Sequence, residues 1–148
     1  MVDTFLMRWP SLGKQVRCEK IDLNPHIFDW WMQQLPLKTV QCHTMVSGRC
    51  LYAVSVAVKT QMPWLPGAEA VEDLSLMPVG RVCTFSPVGE VMELVTKYDA
   101  ATEYMDLISF AQVRAEDFPI LREVGAAIWN AVISTKEIIL VEYVKEGA

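Results

Sequence analysis

Hydrophobic positions along this chain recur with two periods, and the changes between them mark the elements. Thr4 to Arg8 and Gln15 to Ile21 are short strand-like runs around Pro10-Ser11-Leu12-Gly13, which predicts a first hairpin. Asp22-Leu23-Asn24-Pro25 then opens a helix, with Asn24 as N-cap and Pro25 at its first position. Phe28, Trp31, Met32 and Leu35 follow at helical spacing as a buried stripe, and Pro36 ends the helix. Trp30 falls off that stripe. Plain packing, capping of an open barrel end and contact with a partner all stay open for it.

The strongest strand signal comes next. Val40 to Val46 and Cys50 to Val58 are rich in β-branched residues and flank Ser47-Gly48, so they read as a central hairpin. Its second arm, from Leu51, is apolar on both faces, as expected of a strand covered on both sides or curled into a barrel. Lys59 to Pro78 carries three prolines, Gly67, and the acidic residues Glu69, Glu72 and Asp73, and predicts a loop or lid of roughly 20 residues. Val79 to Ser86 and Glu90 to Tyr98 form a third hairpin across Pro87-Val88-Gly89.

Asp99 to Phe110 reads as irregular, followed by a short strand from Ala111 to Arg114. A second helix begins near Phe118-Pro119, behind the favourably placed acids Glu116 and Asp117. Leu121, Val124, Ile128 and Ala131 give its core-facing stripe. Gly125 within it costs about 1 kcal/mol against alanine and predicts close packing on the sheet. Ile138 to Val144 is the closing strand. Mostly antiparallel sheet with two helices predicts one domain over residues 1–148, a mostly β (α+β) barrel, partly closed and capped by the helices.

Composition narrows the function classes. At 148 residues and 52% hydrophobic content the chain supports one domain with a substantial core. No apolar run approaches the roughly 20 residues needed to span a bilayer. The start, MVDTFLMRWP, lacks a secretory pattern, so a cytoplasmic protein is expected. A net charge of −5 without a basic block argues against nucleic acid and anionic membranes. A small molecule or another protein is the better partner. Cys18, Cys42, Cys50 and Cys83 show no CxxC spacing and read as buried, reduced thiols. Neither metal-ligand spacing nor a glycine-rich nucleotide loop occurs, so no metal and no cofactor is expected.

Several residues carry chemistry. His43 suits a general base near neutral pH, against the plainer reading of a barrel-mouth histidine bonded to backbone. Glu93, among Met92, Leu94 and Val95, is read as the proton shuttle; alternatively it faces outward and pairs with Lys97. Tyr98 and Glu103 flank the irregular segment, where they could donate to or orient a ligand. Arg81, like Arg49, could clamp a carboxylate, and Ser47 and Tyr52 lie at or near the central turn. Four strand residues separate His43 from Ser47 by roughly 13 Å, so a direct Ser–His pair is not expected.

The runs RWPSLGKQV, NPHIFDWWMQQLP, CHTMVSG, MPVGRV, TKYDAATE and LREVGAAIWNAV together resemble a bacterial family of unknown function with a cyclophilin-like barrel. The resemblance spans nearly the whole chain and implies that fold. Cyclophilins bind peptidyl-proline through an FHR-type strand motif. Here His43 is flanked by Cys42 and Thr44, so prolyl isomerase activity is not expected. A related module is similar to part of the cucumopine and mikimopine synthases, which join histidine to 2-oxoglutarate in a Pictet–Spengler-like ring closure. Those enzymes add a helical bundle for which this chain has no residues to spare.

Two functional readings follow. The first is a cofactor-free acid/base enzyme acting on a small polar or carboxylated metabolite by ring closure, ring opening or amide-type hydrolysis. The second is a non-catalytic binding or assembly module using Trp30, Trp64 and the long loop. A homo-oligomer suits either.

Overall fold

A computed structural model describes residues 3–58, 69–85 and 91–147. Among them are nine strands: β1 Thr4–Trp9, β2 Lys14–Lys20, β3 Leu37–His43, β4 Gly48–Val58, β5 Glu72–Asp73, β6 Arg81–Thr84, β7 Val91–Ala101, β8 Asp106–Val113 and β9 Ile139–Lys145. Helix α1, Pro25–Gln34, follows β2, and α2, Phe118–Asn130, precedes β9. Every pairing is antiparallel. In the order β2-β1-β9-β3-β4-β7-β6-β8 the strands run round until β8 pairs back onto β2, and β5 adds outside β8. The result is a closed eight-stranded barrel with two helices, consistent with the cyclophilin-like architecture expected. Closure is complete where the sequence suggested a partial barrel.

The barrel is filled from its strands and from α1. Phe5, Phe28, Trp31, Phe110 and Tyr143 form an aromatic cluster, with Trp31 and Tyr143 edge to face at 5.1 Å between centroids. Such aromatic burial dominates core energetics. A smaller apolar cluster lies outside the barrel wall. There Leu74 and Met77 cover Cys50, Cys83, Val95, Ala101 and Leu107. The segment after residue 69 therefore roofs β4, β7, β6 and β8, which explains why β4 carries apolar residues on both faces. Lys97 fastens this roof. It is only 4% exposed, and its ammonium donates to the carbonyls of Leu74 and Met77, each at 2.8 Å.

Four expectations change. Residues 99–110 are mostly strand, irregular only over 102–105: β7 continues to Ala101 and β8 begins at Asp106. Leu107 to Ala111 are all buried, because β8 is covered by the core on one side and by the roof on the other, so no alternation shows in its sequence. The central hairpin ends earlier, at His43, leaving Met45 and Val46 exposed at its tip. Asn24 does not cap α1 through its side chain. Its amide instead donates to the carbonyls of Ala70 and Ser109 and accepts from the Ala70 amide, tying the helix start to the roof and to β8. Lys97, finally, is held by carbonyls and does not pair with Glu93.

Trp30 packs against the core edge. Trp64 and the third-hairpin tip, Pro87-Val88-Gly89, lie outside the described residues. Cys18, Cys50 and Cys83 are buried and Cys42 half-buried, all as free thiols. Burial pushes the Cys50 thiol up to about 11, which leaves it protonated at neutral pH. No described helix is long and apolar enough to cross a membrane.

Candidate active site: the His43–Tyr98 cleft

Tyr98 is on β7 and His43 at the end of β3, on either side of β4 in the barrel wall. His43 pairs with Leu51 of β4, and β7 pairs with β4 in turn, which carries the two side chains to the same inner face. The Tyr98 hydroxyl lies 2.7 Å from His43 Nε2, and His43 Nδ1 lies 2.7 Å from the Thr44 carbonyl oxygen. A carbonyl only accepts, so Nδ1 carries the proton and Nε2 is left to accept from the Tyr98 hydroxyl. The two contacts together fix one tautomer of a neutral imidazole.

Burial supports that neutral state. His43 is 5% exposed, and loss of solvent lowers its pKa from the ordinary value, opposed by the bond to the Thr44 carbonyl. Burial raises the Tyr98 phenol, while the positive charge of Arg49 acts the other way. The imidazole is wedged between two rings: Tyr98 at 5.5 Å and Trp129 at 4.7 Å between centroids, both edge to face.

Above this pair opens a cleft of about 670 Å³, lined by His43, Thr44, Met45, Gly48, Arg49, Tyr98, Asp99, Arg122, Ala126 and Trp129. Its size suits a small metabolite. Helix α2 forms one wall. Arg122, Ala126 and Trp129 recur at i, i+4 and i+7, so they share the helix face beside the buried stripe. Across from them Arg49 Nη1 contacts Asp99 Oδ2 at 3.2 Å. The Ala100 amide, with Arg49 and Arg122 beyond it, holds the Asp99 carboxyl below the usual carboxylate range.

The hairpin tip forms the rim. Gly48 has φ 114°, and a Cβ there would lie 2.6 Å from the Ala101 Cα, so only glycine lets the two turns meet. Ser47 donates its hydroxyl to the Glu103 carboxylate, and the Thr102 amide donates to the Ser47 carbonyl at 3.1 Å. Ser47 and Glu103 are thus brought together, as a brace between the two turns. Thr44 adds a hydroxyl bond to the Gly48 carbonyl at 2.8 Å.

The other sequence candidates lie elsewhere. Glu93 is five residues from Tyr98 on β7, and alternation along a strand turns the two to opposite faces. Glu93 is on the outer wall, near Cys42 and Tyr52, which pair directly across β3 and β4. Arg81 on β6 is engaged by Glu72 at 2.9 Å and by Gln112 at 3.1 Å, where it fixes β5 and β8. Neither Arg81, Tyr52 nor Glu93 lines the cleft. Of the two histidines, His26 faces Glu69 at 3.7 Å on the α1 side. Among the described residues no cluster of three or more His, Cys, Asp or Glu could hold a metal ion.

Arg122, Trp129 and Asp99 were not among the sequence candidates. The α2 signal was present as a second stripe, one step round from the core stripe. Only the fold shows that a cleft lies in front of it.

No family model matches the chain, and no curated protein matches it. Among solved structures the chain is similar to McbB, solved in complex with tryptophan, with TM-score 0.84 and 29% sequence identity over 97% of this chain. The match covers 45% of McbB, so this chain spans less than half of that protein's length.

Proposed function

We propose that the protein is an acid/base enzyme acting on a small polar metabolite, closing or opening a ring or hydrolysing an amide-type bond, with Tyr98 and His43 moving the proton. The observation that carries this reading is the doubly engaged imidazole, with Nδ1–H on the Thr44 carbonyl and Nε2 on the Tyr98 hydroxyl at the floor of the cleft. Since both ring nitrogens are occupied, a substrate proton reaches the imidazole through the phenol. The substrate X–H gives its proton to the Tyr98 oxygen as the Tyr98 proton passes to Nε2, and reversal returns a proton to the product. A base kept neutral near pH 7 by burial is ready for this transfer.

The ring closure implied by the opine-synthase resemblance fits such a unit. An amine and a 2-oxo compound lose water to give an imine. A ring carbon attacks the protonated imine carbon, and the C=N electron pair passes to nitrogen. The proton left on the ring carbon then goes to the Tyr98 oxygen. Likeness to McbB, whose complex holds tryptophan, supports a ligand of amino-acid size. Glu93 has no part in this mechanism. Ser47 and Glu103 brace the rim that presents the Thr44 carbonyl.

The test is a panel of dicarboxylates, hydantoins, cyclic amides, 2-oxo acids, histidine and tryptophan, read by melting temperature and by mass spectrometry of products. Wild type should bind and convert one class. Tyr98→Phe should keep binding it but convert it at least about 100-fold more slowly. Undiminished conversion by Tyr98→Phe would refute the assignment, and tight binding without conversion would favour the binding-module reading.

A further inference from the structure

Three charged side chains line the cleft: Arg49, Asp99 and Arg122. Two guanidinium groups against one carboxylate leave one net positive charge there, in a protein whose formal charge is −5. The two arginines differ in what they already hold. Arg49 is ion-paired with Asp99, whereas Arg122 has no hydrogen bond or ion pair among the described residues and touches Asp99 only through longer-range attraction. Its donors are unspent among the described residues, and the residue lines the cleft. A planar guanidinium fork matches a carboxylate in two parallel hydrogen bonds. Asp99 already engages Arg49, so the mouth offers one unspent fork, enough for a single carboxylate.

The opposite end of the same wall is aromatic. Trp129 is 40% exposed and meets His43 edge to face at 4.7 Å between ring centroids. Seven helical residues separate it from Arg122, an axial distance of about 10 Å, and Ala126 between them leaves the wall flat. Tyr98, bonded to His43, lines the same cleft beside the aromatic end. We infer that the cleft takes a monocarboxylate carrying a planar unsaturated ring, with Arg122 holding the carboxylate and Trp129 the ring beside the Tyr98 hydroxyl. The inference rests on the acid/base reading of this cleft and adds to it the substrate class and two specificity residues.

Cinnamate, its uncharged analogue cinnamamide, and the saturated acid cyclohexanepropanoate are suitable probes, titrated by NMR. Wild type should bind cinnamate about tenfold more tightly than cinnamamide, the discrimination expected from a partly solvated charge-assisted bond, and more tightly than the saturated acid. Arg122→Gln should erase the preference for acid over amide, and Trp129→Leu the preference for the planar ring. Tyr98→Phe should leave both preferences intact. Equal binding of acid and amide, a preference that survives Arg122→Gln, or no binding of cinnamate up to about 10 mM would overturn the inference. The two readings fail separately. Loss of conversion in Tyr98→Phe with equal probe binding removes only the substrate class, and intact preferences with undiminished conversion remove only the acid/base assignment.

Discussion

Tyr98 packs closely on Gly125: a methyl group at position 125 would sit 2.4 Å from two atoms of the Tyr98 ring. Helix α2 thereby packs directly on the ring whose hydroxyl bonds His43. Gly125→Ala sets a helix-propensity gain of about 1 kcal/mol against overpacking of about 1–3 kcal/mol, and overpacking should win. The variant is expected to melt lower than wild type and to lose turnover beyond what that fall explains, because the displaced phenol no longer reaches Nε2. Melting curves beside rates for any converted metabolite check this.

Tyr98→Phe removes one hydroxyl and little packing. A net loss of about 1 kcal/mol is expected for the missing hydrogen bond, with the fold kept. Chemical denaturation with an unchanged m-value would show that only stability has moved.

Lys97→Met should destabilise the protein by about 1–3 kcal/mol, because the Leu74 and Met77 carbonyls lose their buried donor. Amide hydrogen exchange should rise first in residues 72–80, the roof that the ammonium fastens.

Acid should weaken the fold through His43. Its folded pKa lies below the ordinary 6.5 because burial penalises the charged ring, so the unfolded chain binds the proton more readily. The contribution is complete above about pH 6.5 and is lost as pH falls through the folded value, with a slope of at most about 1.4 kcal/mol per pH unit. Stability of His43→Gln measured from pH 7 to 5 should show a shallower decline than wild type.

What the sequence made legible followed from periodicity. Both helices, the three hairpins and the closing strand were marked by alternation, by a 3.6-residue stripe or by turn residues. β8 escaped because burial on both faces erased its alternation, and the polar run before it looked like loop. Asn24 satisfied every local rule for a cap, yet its amide found longer-range partners at Ala70 and Ser109. In the site, His43 was visible as a titratable residue in a strand. Tyr98 was named as well, but its pairing with His43 was not foreseen, since the two are 55 positions apart with the whole of β4 between them. Glu93 was drawn in by apolar neighbours, although its distance from Tyr98 already placed the two on opposite faces.

The most direct measurement of the central claim is a long-range proton–nitrogen NMR spectrum of the His43 ring across pH 5 to 8, assigned with His26→Gln. The dyad predicts a neutral ring at pH 7 in the Nδ1–H tautomer, with a titration midpoint below 6.5. An Nε2–H tautomer or a midpoint above 6.5 would contradict it, because Nε2 could not then be the acceptor for a proton arriving through Tyr98.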